Sequence, residues 1–294
     1  MNPRRYLLVT ADDFGIGPST SRGILELASL GLVTSTVLLA NSPYAEDGIQ
    51  QWKQSGSKLE LGWHPCLTLD GPVSPAETVP SLVDAEGKFF PLGKFVKRLI
   101  LGRVKREEIR IELTAQYDRF RELVGSEPFN INGHHHIHLF RNVGTVLLEV
   151  LNATNPKPYL RRGWEFRSTL RNVPGVRKKR WVLRMLGAVA AKRQRIAGFP
   201  GNDELLGITD PQFVGDPDFF PRWLRHSRGR FVELMVHPGY FDETISGRDG
   251  TVAEGQLQRR AVELVRLKDP SFRDAVIAAG FDLVTAEGMV EVLR

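Results

Sequence analysis

The sequence predicts an α/β protein in which a parallel sheet is covered by helices. Short β-branched runs alternate with helical patterns through most of the 294 residues, and such alternation is typical of parallel sheets with outer helices. About seven of these runs have the character of strands, which favours a closed (β/α) barrel over an open sheet. Because one barrel can take up a chain of this length, we expect a single domain over 1–294.

The elements follow in order along the chain. Strands are predicted at 6–12, 34–40, 59–64, 128–134, 158–162, 231–237 and 281–285. Helices are predicted at 21–31, 44–56, 105–125, 142–153, 216–227, 254–267, 270–279 and 286–293. Gly31 ends the first helix as a C-terminal glycine often does, and Ile109, Leu113 and Tyr117 share one face of the third. Loop excursions are expected at about 65–91, which is rich in Pro and Gly, and at about 196–215.

The composition is that of a soluble globular protein, with 41% hydrophobic and 25% charged residues. The single cysteine, Cys66, excludes an internal disulfide and fits a reducing compartment. The first apolar run is too short for a signal peptide and ends in two aspartates. No apolar stretch approaches the roughly 20 residues of a membrane span. We therefore expect a cytoplasmic protein.

A basic segment at 171–195 supplies much of the net charge of +6. If it is helical, apolar residues such as Trp181 and Met185 lie among basic ones, and a basic amphipathic helix can make a peripheral contact with an anionic membrane. A packed helix with a solvated basic face is the favoured alternative. Zinc-finger spacings and RNA-binding aromatic motifs are absent from the sequence, which argues against a nucleic-acid partner.

Polar residues suited to catalysis follow five predicted strands. They are Asp12 and Asp13, His64, the histidine cluster that begins at His134, Arg161, and His237. In a barrel of this type the active site lies at the carboxyl ends of the strands, so these residues are expected to converge. Four of the seven histidines fall within 134–138, and imidazole is the commonest metal ligand.

Each of these residues also has a simpler interpretation. The two aspartates can divide metal binding and base catalysis between them, or they can cap a turn. His64 and His237 can be packed interior histidines, and Cys66 is more often buried filler than a ligand. Two histidines and one aspartate would leave open positions on a metal, as catalytic sites do.

Five motifs in this order resemble the YdjC-like carbohydrate deacetylases, which include chitooligosaccharide deacetylase. They are ADDFG (11–15), TSTVLLAN (34–41), GWHPCLT (62–68), GHHHIH (133–138) and ELMVHPGY (233–240). The resemblance runs from residue 8 to about residue 241. It implies a deformed (β/α) barrel related to polysaccharide deacetylases, with a divalent metal at the strand ends.

The resemblance also implies roles for individual residues. Asp13, His64 and His134 would be the metal ligands, Asp12 the catalytic base, and His237 the residue that protonates the departing amine. Arg161, Asn132, His136 and His138 would either contact the substrate or be outer donors that support the site. Asn132 is a departure, because the family commonly has aspartate at this position, two residues before the cluster.

The function expected from this resemblance is hydrolysis of the acetyl group from an N-acetylated sugar, either an oligosaccharide or a glycoconjugate. One divalent ion is expected, Mg²⁺ or Zn²⁺ before others, since mixed Asp/His ligation does not fix its identity. A homodimer would be unsurprising. One alternative is another barrel hydrolase acting on a cyclic amide or phosphoester, although an H-x-H motif is missing from the first strand. The other is a non-catalytic metal-binding protein at a membrane surface.

Overall fold

A parallel sheet forms the centre of the molecule in the computed structural model, which describes residues 4–248 and 255–293. Its strands are β1 (Arg5–Phe14), β2 (Ser35–Leu38), β3 (Glu60–Trp63), β4 (Asn130–Ile131), β5 (Tyr159–Leu160), β6 (Glu204–Leu206), β7 (Phe231–Val236) and β8 (Phe281–Leu283). Seven of them follow the order β5-β4-β3-β2-β1-β7-β6 and form a curled half-barrel, and β8 pairs with the start of β1. This architecture confirms the predicted α/β fold with about seven parallel strands.

Helices alternate with the strands and cover the sheet. They are α1 (Pro18–Ser29), α2 (Ala45–Ser55), α3 (Leu92–Ile100), α4 (Arg106–Val124), α5 (Arg141–Val150), α6 (Arg167–Asn172), α7 (Arg177–Ile196), α8 (Pro211–Val214), α9 (Phe219–His226), α10 (Gln256–Lys268), α11 (Pro270–Ala278) and α12 (Ala286–Leu293). Short 3₁₀ turns occur at Ala76–Thr78, His134–Leu139, Leu151–Ala153 and Glu243–Ile245. In the described residues, no helix is both long enough and apolar enough to cross a bilayer.

Strand β1 is the axis of the sheet. It pairs along Tyr6–Ala11 with β7, and on its other edge first with β8 and then with β2. Its side chains are buried from Leu7 onward, which explains why its sequence is almost continuously apolar up to Asp12. A strand buried on both faces has a fixed position, so the residues at its carboxyl end are well placed to build a site.

A short loop before β6, which contains Pro200 and Asn202, connects the two edge strands of the half-barrel, β5 and β6. Leu160 in β5 donates its backbone N–H to the carbonyl of Pro200 at 2.9 Å. The Asn202 side chain accepts from the N–H of Arg162 at 2.7 Å and donates to the Arg162 carbonyl at 2.8 Å. These bonds satisfy edge groups that strand pairing leaves open between β5 and β6.

One strand lies where the sequence reading expected irregular backbone. Strand β6 and the single turn of α8 fall inside 196–215. With three residues, β6 is too short to show a periodic pattern, and it is a strand because the edge of β7 provides its partners. By contrast, 65–91 contains only one 3₁₀ turn and an isolated bridge between Val83 and Phe89.

The long loop at 65–91 is held from beneath by α4. The buried carboxylate of Glu112 accepts from the backbone N–H groups of Val73 and Ser74 at 2.9 and 3.0 Å. One turn further on, the Gln116 amide brackets the backbone of Cys66, accepting from its N–H at 3.0 Å and donating to its carbonyl at 2.6 Å. Side chains of α4 thus take the place of a strand partner for the loop backbone.

Candidate active site

The two aspartates at the end of β1 both face one cavity. The register between β1 and β2 shifts between Ala11 and Phe14, and Asp13 adopts a left-handed backbone with φ of 66°. A regular strand would send consecutive side chains to opposite faces, whereas this irregularity lets Asp12 and Asp13 line the same cavity. Aspartate tolerates such a conformation better than most residues.

Asp13, His64 and His134 form a buried cluster whose ligand atoms all lie within 4.8 Å of one another. The Oδ1 atom of Asp13 is 3.3 Å from Nε2 of His64 and 3.0 Å from Nδ1 of His134. The three predicted ligands, from β1, from the end of β3 and from the loop after β4, are therefore brought together. One carboxylate and two imidazoles fit a divalent ion with open coordination positions, which is the pattern of catalytic centres.

The orientation of His64 also suits a ligand. Its Nδ1 lies 2.7 Å from the backbone carbonyl of Asn132, and because a carbonyl only accepts, Nδ1 carries the proton. The Nε2 lone pair is thereby directed toward Asp13 and is available to a cation. A hydrogen bond that fixes the tautomer in this way is the usual partner of a metal-binding histidine.

Arg260 supports the ionised form of Asp13. Arg260 on α10 donates to Oδ2 of Asp13 at 2.7 Å. Burial opposes ionisation of Asp13, but Arg260 first and then the hydrogen bond with His134 outweigh it and hold its pKa well below the ordinary value. The carboxylate is therefore ionised and ready to bind a cation. Arg260 was not among the site residues predicted from the sequence.

Asp12 is gripped by a buried arginine. Arg161 donates from its two terminal nitrogens to Asp12 at 2.7 and 2.8 Å, and Asn132 donates to Oδ1 at 3.3 Å. Burial would raise the pKa of Asp12, yet Arg161 more than offsets it, so that the pKa is lowered. Asn132 thus contacts Asp12 directly and contributes a neutral donor.

Arg161 itself is fully buried. Its Nε donates to Glu233 in β7 at 2.9 Å, and Glu233 also accepts from the hydroxyl of Tyr159 at 3.0 Å. Arg161 is not among the described residues that line the cavity. It lies behind Asp12 and orients its carboxylate. Glu233 was missed, although a lone glutamate inside the apolar strand FVELMV was an available signal.

His237 follows β7 and turns toward the metal cluster. Its Nε2 is 4.0 Å from Oδ2 of Asp13, and Nδ1 is 3.4 Å from a terminal nitrogen of Arg259. Because arginine can only donate, the neutral ring carries its proton on Nε2. Burial first and Arg259 second lower the pKa of His237 to about 4. Glu263 positions both residues, since it accepts from the His237 backbone N–H and from Arg259.

The remaining histidines of the cluster divide into different environments. His135 and His136 have left-handed backbones with φ of 53° and 58°, so the turn is not a regular helix. His136 lines the cavity, and burial, followed by Arg161, lowers its pKa well below the ordinary value. His138 instead accepts from Gly133 N–H at 2.8 Å and contacts the Arg161 carbonyl at 3.2 Å. His138 therefore holds backbone and is not among the described cavity residues.

Cys66 lies apart from the cluster. It is fully buried in a small apolar group that includes Ile16 and Leu39, and burial raises the pKa of its thiol. This placement agrees with an inert packed cysteine.

The cavity that these residues enclose has a volume of about 140 Å³. Besides the predicted residues, its wall includes Lys179, Ile208, Thr209, Met235, Arg259 and Arg260. Lys179 comes from the basic segment, at the start of α7. Arg259 and Arg260 were predicted only as part of a helix, and the Arg259–Glu263 spacing of four was the signal that could have marked them.

The profile of the YdjC-like protein family matches residues 6–278. The chain belongs to the YdjC-like family. The chitooligosaccharide deacetylase of Escherichia fergusonii is 39% identical over 280 residues, covering 95% of this chain and 97% of that protein. The chitooligosaccharide deacetylase of Proteus mirabilis is 29% identical over 292 residues, covering 97% and 98%. The resemblance inferred from the five motifs is therefore confirmed.

A solved structure also matches along the whole chain. A candidate cellobiose-phosphate cleavage protein of Enterococcus faecalis superposes with a TM-score of 0.76 at 26% identity, covering 97% of this chain and 98% of that one. The YdjC-like fold thus extends over nearly all of the chain.

Proposed function

We propose that this YdjC-like protein is a metal-dependent deacetylase that hydrolyses the acetyl group from an N-acetylated sugar. The observation that carries the proposal is the buried cluster of Asp13, His64 and His134 with Asp12 and His237 on the same cavity. The names of its relatives from Escherichia fergusonii and Proteus mirabilis, both chitooligosaccharide deacetylases, support the choice of substrate class.

Asp13, His64 and His134 would hold one divalent ion, with Mg²⁺ and Zn²⁺ as the leading candidates. Such an ion supplies Lewis acidity for an amide carbonyl and lowers the pKa of water. The donor set supports this assignment, because it combines an ionised carboxylate with an imidazole whose proton is fixed on the far nitrogen.

Asp12 would accept the proton of the attacking water. Its lowered pKa keeps it ionised, and the bidentate grip of Arg161 fixes the direction of its lone pairs. Arg161 is in turn locked by Glu233. Of the two roles expected for Arg161, we therefore favour positioning of Asp12 over contact with the sugar.

His237 would protonate the nitrogen that leaves with the sugar as the C–N bond breaks and acetate forms. With a pKa of about 4, its ring is neutral before the reaction. It would take up a solvent proton on Nδ1, the nitrogen that faces Arg259, when negative charge that develops on the substrate offsets the influence of Arg259, and it would then give its Nε2 proton to the leaving nitrogen. Glu263 and Arg259 keep the ring in place for this step.

The size of the cavity supports a small reacting group. A volume of about 140 Å³ has room for several water-sized groups. An acetamido group has four heavy atoms, so it would fill the buried part while the sugar ring stays at the mouth. Free and lipid-linked sugars both satisfy this condition. His136 at the wall would contact the acetamido group.

The test is acetate release from N-acetylglucosamine oligomers by protein that has been stripped with chelator and resupplied with single metals. We expect release only with metal. His64→Ala should lose bound metal, whereas His237→Ala should keep the metal and lose about 10²- to 10⁴-fold in turnover. His226→Ala, on α9 outside the site, is the matched control and should behave as wild type.

Two results would contradict the proposal in different ways. Full activity after removal of the metal would refute metal dependence. Absence of acetate with every metal, despite metal binding that His64→Ala abolishes, would refute N-acetylglucosamine oligomers as substrates and leave the metal centre standing. A single domain over 1–294, a homodimer and a cytoplasmic address stay predictions.

A further inference from the structure

The outer face of α7 carries a row of exposed apolar side chains. The row consists of Trp181, Val182, Met185, Val189 and Ile196, with exposed fractions between 47% and 78%. At about 100° per residue these five positions fall within an arc of about 100°, and they extend over about 22 Å of helix. The buried residues Leu183, Gly187, Ala190, Ala191 and Gln194 lie on the opposite side. We call the exposed row the apolar stripe.

The surroundings of the apolar stripe are exclusively cationic in sequence. Residues 166–197 contain ten Lys and Arg and no Asp or Glu. By helical position Lys178 and Lys192 lie within the stripe, and Arg177 and Arg195 lie along one edge of it. Because the whole chain carries only +6, the remainder of the protein is net negative, and the positive charge is concentrated on this segment.

A groove lies at the amino end of the stripe. It has a volume of about 600 Å³ and is lined by Leu170, Arg171, Arg177, Lys178, Trp181 and Val182. The neighbouring residue, Lys179, belongs to the wall of the catalytic cavity. The groove and the catalytic cavity thus both take a residue from the first turn of α7.

We propose that the apolar stripe docks on the surface of an anionic lipid bilayer. Trp181, Met185 and Ile196 would enter the boundary between headgroups and acyl chains, as the apolar faces of interfacial helices do. The flanking lysines and arginines would pair with anionic headgroups, which attract basic segments near such a surface. The basic residues complement anionic headgroups and the apolar stripe complements acyl chains, and an anionic bilayer offers both surfaces together.

Two other occupants fit less well. A symmetric dimer through this face would place the same patch of each copy against the other, so the cationic residues of both copies would oppose each other. A nucleic acid would neutralise the charges, but its phosphate backbone would leave the exposed Trp181 and Met185 without an apolar partner. A dimer through this face is one of the outcomes of the experiment below.

The experiment measures co-sedimentation of the full chain with vesicles of phosphatidylcholine alone or with about one third phosphatidylglycerol. We expect binding to the anionic vesicles only, weakened by salt. The double variant Trp181→Gln/Met185→Gln and the double variant Lys178→Glu/Lys192→Glu should each bind at least tenfold more weakly. Emission of Trp181 should shift to shorter wavelength on binding, and Trp181→Phe should remove the shift while it retains binding.

Matched controls test the location of the surface. Ile277→Gln on α11 and Val265→Gln on α10 remove apolar side chains that are 74% and 64% exposed, and Lys53→Glu reverses a charge on α2; all should bind as wild type. Thermal denaturation checks that every variant is folded. Wild type that ignores anionic vesicles, folded stripe variants that bind undiminished, or a concentration-dependent dimer that Trp181→Gln dissolves would each overturn the proposal.

Discussion

The long loop at 65–91 and the helix α7 satisfy their backbone hydrogen-bonding groups in opposite ways. The loop has almost no regular structure, yet its backbone is anchored by buried acceptors on α4, including Glu112 and Gln116. Helix α7 satisfies its own backbone along its length, and one face of its side chains stays exposed. An irregular segment needs partners for its N–H and C=O groups, so its surroundings must be built around it. A helix has no such need, which leaves its outer side chains available for another partner.

Both segments are held to the rest of the protein by buried ionisable groups, but the partners of these groups differ. Beneath the loop, Glu112 is surrounded by neutral donors, and burial raises its pKa although Ser74 and Gln116 oppose the effect. Beneath α7, Arg180 pairs with Glu165 and donates to the carbonyl of Val173 at 2.6 Å. The loop is therefore held by a polar network and α7 by an ion pair. Replacing Arg180 or Glu112 should therefore lower the free energy of unfolding by different amounts.

The largest effect is expected for Arg180→Ala. Glu165 would stay buried without its cation, and the loss of one partner from a buried pair costs about 3–5 kcal/mol. We expect the free energy of unfolding, measured in urea, to fall by about that amount. Lys192→Ala on the exposed face of the same helix is the control and should change it by less than about 0.5 kcal/mol. A loss below 1 kcal/mol for Arg180→Ala would show that the pair does not anchor α7.

Glu112→Ala should have the next largest effect. It leaves the N–H groups of Val73 and Ser74 without their acceptor, and such unsatisfied buried groups cost about 1–3 kcal/mol each. We expect a loss of about 3 kcal/mol in urea unfolding, together with faster amide exchange of Val73 and Ser74.

Two variants sharpen this test of the loop. Glu112→Gln keeps the size but introduces an NH₂ group that faces donors, so it should destabilise nearly as much. Glu107→Ala removes an exposed carboxylate from the same helix, where the solvent-exposed pair with Arg110 should contribute little to stability. Equal losses for Glu107→Ala and Glu112→Ala would contradict the anchoring role of α4.

The smallest effect is expected for Met185→Gln in the apolar stripe. Glutamine is about as good a helix former as methionine, and the side chain is 47% exposed. The free energy of unfolding should therefore change by less than about 1 kcal/mol in urea. A loss of 2 kcal/mol or more would mean that the stripe packs against protein in solution. The outer face of α7 would then not be free for another partner.

The sequence alone determined the fold class, the order of most elements and the ends of the strands where the site would form. These are local properties: strand–helix alternation, the caps and the residue that follows each apolar run can be read without knowledge of distant contacts. That is why β1, β3 and β7 were predicted, and why Asp13, His64 and His134 were among the polar residues expected to converge. Their selection as the three ligands came from the resemblance to the YdjC-like family. The three-residue β6 was missed because its state depends on β7 and not on its own pattern.

The tertiary structure decided which groups support the site. Arg260 reaches Asp13 across 247 positions of sequence and Arg161 reaches Asp12 across 149, and no local pattern reports contacts of that range. It also decided that Arg161 is buried behind Asp12, that His138 holds backbone, and that β1 breaks register so that both aspartates face one cavity. Composition fixes which charges a chain carries, but burial and long-range pairing fix what each charge can do.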